Sequence, residues 1–211
     1  IPWLVLRMPM CRFVSVVIAV FLIPSVPHGQ SPPTLATDEQ AVVTYVDAHN
    51  AEALVLLERA VNINSGTGNH AGVGEVGKLF AGEFEALGFT TRWVDGTPFK
   101  RAGHLVAERA RPGRRVLLIG HLDTVFEADS PFQKFERLSD QQARGPGIID
   151  MKGGDVIIVQ ALKALRATGA LDRMHVTVVM TGDEESAGEP QDMARAALTR
   201  YCRPSHSTTR R

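Results

Sequence analysis

The sequence predicts an α/β domain of three layers, in which a sheet lies between helices. Stretches with apolar residues at helical spacing alternate along the chain with short runs rich in Val, Leu and Ile, which are typical of strands. With 211 residues, 44% of them hydrophobic and 22% charged, the chain can enclose one core. Lys and Arg total 23, as do Asp and Glu, so the formal net charge is +0 and we expect no nucleic-acid partner.

The amino-terminal segment has the layout of a secretory signal peptide, which we predict for residues 1–30. Arg12 precedes an apolar run that extends from Phe13 to Pro24, and a short polar stretch follows. The run is too short for a comfortable membrane span, although a retained anchor or a buried segment are alternatives. Cleavage would give a periplasmic or secreted protein with no stable membrane partner. It would also remove Cys11, so the mature chain would hold no disulfide framework.

Three helices are predicted next. Thr37 can act as an N-cap with Gln40 three residues later, a capping-box pattern that begins the first helix. A second helix over residues 51–61 ends at a polar stretch that contains glycines. In the third, over residues 72–87, apolar side chains recur at helical spacing, and Gly88 supplies the cap at its end.

Strands follow the third helix. Residues 89–94 have the composition of a strand. The runs at 104–109 and 115–120 predict a strand pair around the turn at Pro112 and Gly113. The second run is apolar enough to be buried on both faces.

One helix and one strand complete the alternation. We predict the helix over residues 153–168, ended by Gly169, and the strand over residues 175–180. Residues 31–200 are assigned to this domain. From residue 201 neither periodicity is present, and residues 201–211 are predicted to be an aberrant or disordered tail.

Polar residues stand where three of the apolar elements end or begin. His121 and Asp123 follow the run at 115–120, and alternation places them on the same side of an extended chain. An imidazole there can ligate a metal while the carboxylate orients the ring. Taken alone, the pair is more often a strand end with a hydrogen-bonded His.

The other two groups are acidic. Asp150 stands in a glycine-rich turn over residues 145–154 and can present both oxygens to an ion, or it can simply cap the following helix. Asp183, Glu184 and Glu185 follow the strand at 175–180, and such a run is either a solvated loop or a set of charges that needs a cation. A cation held by one His and several carboxylates accounts for all three groups at once.

These motifs resemble the M20 family of metallopeptidases, and most of all its glutamate carboxypeptidase branch. They read Gly120-His-Leu-Asp-Thr-Val, Gly145-Pro-Gly-Ile-Ile-Asp-Met-Lys-Gly-Gly and Gly182-Asp-Glu-Glu. The resemblance implies a three-layer zinc-peptidase catalytic domain of the aminopeptidase and carboxypeptidase type. It also implies two Zn²⁺ ions per complete site, with cobalt or manganese as alternatives.

The resemblance assigns a role to each of five residues. His121 would ligate one ion, Asp150 would bridge both, and Glu185 would ligate the other. Asp123 would orient the His121 ring, and Glu184 would be the general base that takes a proton from the attacking water. His70, His104 and His175 are expected to be structural or exposed, and Lys152 either to start a helix or to support the site.

Some features of the family have no match in the sequence. They are a further acidic ligand beyond the paired glutamates, a late His ligand and a lid domain. In the family the lid domain forms dimers, and full-length relatives are therefore expected to be homodimers. His206 lacks the family's surrounding residues and is expected to be an exposed tail residue. We therefore expect an incomplete catalytic domain that is inactive alone.

The predicted function is hydrolysis of a C-terminal peptide or amide bond, with release of glutamate as one form of it. A small peptide or an N-acyl amino acid would be the substrate. An N-acyl amino acid deacylase or a dipeptidase on the same scaffold is the first alternative. The second is a truncated remnant without catalysis.

Overall fold

Helices and strands alternate along residues 35–202, the part of the chain that the computed structural model describes. The helices are α1 (Thr37–Ala48), α2 (Asn50–Val61), α3 (His70–Ala86), α4 (Gly153–Ala167) and α5 (Gln191–Cys202). The strands are β1 (Thr90–Asp95), β2 (Gly103–Arg109), β3 (Arg114–His121), β4 (Glu136–Arg137), β5 (Ala143–Arg144) and β6 (Met174–Thr181). The predicted signal peptide and His206 lie outside the described residues.

The boundaries of α2, α3 and α4 agree with the sequence pattern to within two residues, whereas α1 begins one residue earlier than expected. Helix α5 was not predicted, and its last two residues, Tyr201 and Cys202, fall in the segment expected to be a tail. The N-cap is Ala36, and Thr37 is already helical. The prediction of Thr37 as cap was wrong by one residue because Glu39, rather than Gln40, turns back to accept a hydrogen bond from the Ala36 backbone N–H at 2.8 Å. Gly88 follows α3 at φ +80°, the left-handed conformation expected of a cap glycine.

The strand pairing differs from the prediction. In the four-stranded sheet the order is β1-β2-β6-β3, so β6 separates the two strands that were expected to pair. β2 pairs antiparallel with β1 and with β6, whereas β3 runs parallel to β6. The chain passes from β3 to β6 through α4, as a parallel pair requires a crossover.

Burial explains why β6 takes the inner position. Val176, Val178, Val179 and Met180 are each no more than 1% exposed, so this strand is covered by a neighbour on each side and by helices on its faces. β3 lies at the edge of the described sheet, where Ile119 is 49% exposed. The prediction that β3 is buried on both faces was therefore wrong for the described part of the chain.

The main core lies between the sheet and helices α2, α3 and α4. Phe80 and Phe84 of α3 and Leu162 of α4 pack with one face of β6. Helix α5 contacts β6 and contributes buried Ala194 and Ala197, which completes the predicted three-layer arrangement. None of the helices described between residues 35 and 202 is both long and apolar enough to cross a membrane.

The parallel pairing of β3 with β6 determines where polar side chains collect. Because the two strands run in the same direction, with His121 in register with Thr181, their carboxyl ends lie side by side. The segments that follow them carry Asp123 and residues 183–185. Open α/β sheets build binding sites at this edge.

Candidate metal centre

Three ligand-type side chains meet at the carboxyl ends of β3 and β6. Donor atoms of His121, Asp150 and Glu185 all lie within 4.8 Å of one another. The Nε2 atom of His121 is 2.9 Å from Oδ1 of Asp150, and 3.9 Å from Oε2 of Glu184. The three residues that the sequence motifs indicated as ligands are thus brought together, with Glu184 beside them.

Each of these side chains comes from a different segment. His121 ends β3 and is buried, whereas Asp150 belongs to the turn Ile148–Lys152 before α4, and its side chain is 71% exposed. Glu184 and Glu185 lie in the loop that follows β6. A buried imidazole with solvent-facing carboxylates around it forms an open rim that an ion and a substrate can reach.

The surroundings of the His121 ring determine which nitrogen faces the acidic residues. Nδ1 lies 3.1 Å from the backbone oxygen of Asp123 and 3.4 Å from its Oδ1. Both atoms are acceptors, so Nδ1 carries a proton and Nε2 is directed at Asp150. The carbonyl of Asp123 is the closer of the two acceptors, a contact that the sequence did not indicate.

Asp123 connects the two halves of the site. Its carboxylate is fully buried and accepts hydrogen bonds from the backbone N–H groups of Glu184 and Glu185, each at 3.1 Å, and from the hydroxyl of Thr67 at 2.7 Å. Burial alone would raise the pKa of Asp123, but hydrogen bonds with His121, Thr67 and the two backbone amides hold it below its usual value. Asp123 therefore stays ionised and orients both the ring and the acidic loop.

The charges of the site repel one another when no cation is present. Partial burial, and then the negative charge of Asp150, raise the pKa of Glu185. Burial would lower the pKa of His121, but hydrogen bonds with Asp123 and Asp150 raise it to about 9. A proton on His121 thus compensates for part of the negative charge that a divalent cation would neutralise.

Asp183, the first residue of the acidic run, does not belong to the site. Its carboxylate is buried and accepts hydrogen bonds from Nη1 of Arg195 at 2.6 Å and from the Gly188 backbone N–H at 2.8 Å. The sequence left open whether this run is a solvated loop or needs a cation, and for Asp183 neither holds, since Arg195 provides its charge partner. His104 behaves as the expected structural histidine: its buried ring contacts the backbone oxygen of Ala194 at 2.8 Å.

Two further residues support the site, of which only Lys152 was considered for that role from the sequence. Thr67 lies in the loop between α2 and α3 and touches Asp123. Lys152 is fully buried, and its ammonium donates to the backbone oxygens of Ala60 at 3.0 Å and Ile63 at 2.8 Å. The glycines on both sides of Thr67 marked a turn in the sequence, but no sequence signal identified its contact with Asp123.

An open cavity of about 440 Å³ adjoins the cluster. Its walls come from the ends of β3 and β6, the turn before α4, the loop after β6 and α5: Ile119, Gly120, His121, Asp150, Met151, Thr181, Glu184, Arg195 and Leu198. Polar groups that converge at one end of a partly apolar cavity are typical of a small-molecule site.

The donor set fits a divalent metal ion. One imidazole nitrogen and two carboxylates within 4.8 Å form the ligand combination found at Zn²⁺ sites. The described residues therefore contain a candidate metal-binding cluster.

Comparison with known proteins gives a family likeness. The model of peptidase family M20/M25/M40 matches residues 117–206, which include every residue of the cluster. Carboxypeptidase G2 from Pseudomonas sp. (strain RS-16) is 36% identical over 160 residues, or 71% of this chain and 34% of that protein. Over residues 117–206 the chain is similar to the M20 peptidase family.

Two further proteins extend the comparison. A succinyl-diaminopimelate desuccinylase from Gluconacetobacter diazotrophicus is 34% identical over 121 residues, which are 53% of this chain and 30% of that protein. The crystal structure of human carnosine dipeptidase 1 superposes with a TM-score of 0.63 at 22% identity, over 76% of this chain and 37% of that chain. The likeness to the human dipeptidase structure supports the fold described above. The chain spans about a third of the length of the curated relatives it matches.

Proposed function

We propose that this chain forms part of a metal-dependent hydrolase that cleaves a C-terminal peptide or amide bond. The clustering of His121, Asp150 and Glu185 at the ends of two parallel strands carries the proposal. Similarity to Carboxypeptidase G2 supports a carboxypeptidase, and we propose glutamate as the residue released. The substrate would be a small peptide or an N-acyl amino acid.

Zn²⁺ is the proposed metal, held by His121, Asp150 and Glu185. When bound there, such a cation supplies Lewis acidity, which lowers the pKa of a water molecule and polarises the carbonyl to be cleaved. Asp123 keeps the proton of His121 on Nδ1, so Nε2 remains free to act as a ligand. Asp150 would be shared between two ions.

Glu184 is the proposed general base. Its side chain is 57% exposed, and one oxygen lies 3.9 Å from the His121 Nε2 atom, so it faces the cluster and remains accessible to water and substrate. A carboxylate in this position can take a proton from the attacking water and pass it to the leaving amine.

We propose that completing the two-ion site requires ligands beyond those described. Three ligand groups meet among residues 35–202, and two ions that share one carboxylate need about three protein ligands each. The chain on its own would then hold metal weakly and show no turnover.

Glu184→Gln separates the role of base from that of ligand. In the whole protein this variant should keep its metal content and lose about 10²- to 10⁴-fold in kcat, because it removes the proton acceptor and leaves the ligands. Asp150→Ala should lose both metal and turnover. Metal analysis and assays with C-terminal glutamyl amides measure the two effects.

A matched control comes from the same loop. Glu189 is exposed and contacts none of the cluster residues, so Glu189→Gln should behave like the unchanged protein. Undiminished turnover in Glu184→Gln would overturn the assignment of the base. Full metal content in Asp150→Ala would overturn the assignment of the ligand.

Deacylation of an N-acyl amino acid is the second candidate. Two of the curated relatives are succinyl-diaminopimelate desuccinylases, which supports an amide whose acyl part is a small dicarboxylic acid. Assays with N-succinyl amino acids beside C-terminal glutamyl amides distinguish the candidates. Faster turnover of the succinyl compounds would favour the deacylase.

We also propose export of the protein, on the layout of residues 12–30 alone. Expression in a Gram-negative host should give a shortened product in the periplasm. Ile18→Glu, which interrupts the apolar run, should hold the protein in the cytoplasm, whereas Leu35→Glu, beyond the run, should not. Cell fractionation locates each product, and mass spectrometry gives its length. A full-length cytoplasmic product from the unchanged sequence would contradict export.

A further inference from the structure

The loop between α2 and α3 lies against the segment that carries His121 and Asp123. Thr124 donates its backbone N–H to the Ser65 oxygen at 2.8 Å, and Thr67 donates its own to the Thr124 oxygen at 3.1 Å. These two bonds fix the loop alongside the strand end through the backbone alone. The hydroxyl of Thr67 is therefore not needed to hold the loop in place.

That hydroxyl points at Asp123. Oγ1 of Thr67 donates to Oδ2 of Asp123 at 2.7 Å, and both side chains are buried, at 4% and 0% exposure. A hydrogen bond to a buried carboxylate is among the stronger ones in proteins. Water does not reach this oxygen to replace the donor.

Asp123 needs several donors to keep one orientation. Oδ1 accepts from the Glu184 N–H and faces His121 Nδ1, while Oδ2 accepts from the Glu185 N–H and from Thr67. Without Thr67, one donor would remain on Oδ2, and the carboxylate could rotate away from the plane in which Oδ1 faces the His121 ring. The restraint on the ring and on the acidic loop would weaken together.

We propose that Thr67 is a positioning residue of the metal centre, acting through Asp123 on the orientation of His121 and of the loop with Glu184 and Glu185. The inference rests on the proposed function, since it takes these residues as the metal site. It assigns a role to a part of the chain that lies outside the segment matched by the family model, residues 117–206.

Metal binding by the full chain tests the proposal without an assay of turnover. Co²⁺ affinity is measured from its absorption bands, and the His121 Nδ1–H resonance is followed by proton NMR. Thr67→Val should weaken Co²⁺ binding about 10-fold and shift or broaden that resonance, as expected when a partner behind a ligand is removed. Thr67→Ser keeps the hydroxyl and should restore both signals.

Two controls separate positioning from stability. Ser65→Ala alters the same loop, where the Ser65 hydroxyl has no hydrogen-bond partner among the described residues. Thr177→Val makes the same substitution in β6 at the same 4% exposure, away from the cluster. Both should keep the Co²⁺ affinity and the resonance of the unchanged chain. Thr67→Ala serves as the second variant if valine prevents folding.

The outcomes separate this inference from the proposed function. Unchanged Co²⁺ binding in Thr67→Val and Thr67→Ala, or equal weakening in Thr67→Ser and in Thr67→Val, would overturn the role of Thr67. His121→Ala is the reference: loss of binding there with no effect at Thr67 leaves the metal site standing and removes only this inference. Unchanged binding in His121→Ala would instead remove the proposed site itself.

Discussion

Asp155, in the first turn of α4, carries a carboxyl group that the fold accommodates poorly when ionised. The side chain is fully buried, and neither oxygen has a hydrogen-bond partner among the described residues. Burial raises its pKa from 3.8 to about 8, although the charges of His121 and Lys152 act in the opposite direction. At neutral pH the folded chain therefore holds a proton on Asp155 that the unfolded chain releases.

Replacing this carboxyl group should stabilise the fold in a pH-dependent way. An acid whose pKa is raised on folding costs stability, and the cost grows from about pH 4 until the pH reaches about 8. Asp155→Asn should thus raise the free energy of unfolding by about 1–3 kcal/mol near pH 7.5, and by much less near pH 4. Urea unfolding in the presence of a chelator measures the free energy of unfolding at each pH.

Asp140→Asn is the matched control for this effect. The Asp140 side chain is fully exposed, so the same substitution should leave the unfolding free energy nearly unchanged at both pH values. A lower stability of Asp155→Asn near pH 7.5 would show that the carboxylate is ionised and has favourable contacts in the folded chain.

The sequence predicted the members of the cluster and the supporting role of Asp123, but not that of Thr67. Glycine-flanked acidic motifs and a His-x-Asp at a strand end are local patterns, so His121, Asp150 and Glu185 could be identified from them. The contact of Thr67 with Asp123 joins positions 56 residues apart and leaves no such pattern. The sequence also did not show that Asp183 pairs with Arg195, because Arg195 lies on α5, beyond the acidic run.

Helix α2 and the turn that presents Asp150 are joined by one side chain. Lys152 donates to the backbone oxygens of Ala60 and Ile63, at the carboxyl end of α2. The Ala60 oxygen also accepts the Ile63 backbone N–H at 3.3 Å, so Lys152 is its second donor. A cation at this end of a helix interacts favourably with the helix dipole. Since Lys152 stands two residues after Asp150, the contact also anchors the turn.

Lys152→Met should therefore cost stability and weaken the metal centre. The Ile63 oxygen loses the Lys152 donor, and the Ala60 oxygen keeps only the Ile63 N–H. We therefore expect a loss of about 1–3 kcal/mol in unfolding free energy, with weaker Co²⁺ binding. Lys163→Met is the control: that residue forms a partly exposed ion pair with Glu83 at 2.8 Å, worth at most about 1 kcal/mol. Equal effects of the two substitutions on stability would contradict the anchoring role of Lys152.

The elements themselves were largely predictable, whereas their pairing was not. Apolar spacing and cap glycines are local, and they located α2, α3, α4 and β6 to within a few residues. Which strand lies beside which depends on competition for burial. A short turn favoured a β2–β3 hairpin, but the apolar β6, which comes later in the chain, occupies the position between them.

On the scale of the whole molecule, the candidate metal centre joins parts of the chain that are far apart in sequence. The end of β3, the turn before α4 and the loop after β6 each contribute one ligand-type side chain. In the metal-free state the protonated His121 takes part of the role of a cation, through its contacts with Asp123 and Asp150. A bound ion would connect the same three segments.

The proton on His121 and a metal ion should stabilise the fold in opposite pH ranges. The pKa of His121 is raised from 6.5 to about 9, so its proton contributes stability that is fully present below about pH 6.5 and lost as the pH rises through about 9. A metal ion occupies Nε2 only after that proton leaves. The stabilisation by metal should therefore grow with pH over the range in which the proton's own contribution falls.

We expect Zn²⁺ to raise the unfolding midpoint of the chain, and to raise it more near pH 8 than near pH 6. Binding to the folded state alone adds about 2.7 kcal/mol when the free ion is at 100 times its Kd, and that Kd should fall as the pH approaches 9. Differential scanning calorimetry with and without Zn²⁺ measures the shift at each pH. His121→Ala should abolish it, while His175→Ala, which alters a histidine paired with Glu108 away from the cluster, should leave it intact. A shift that is the same at both pH values, or one that survives in His121→Ala, would mean that Zn²⁺ binds elsewhere on the chain.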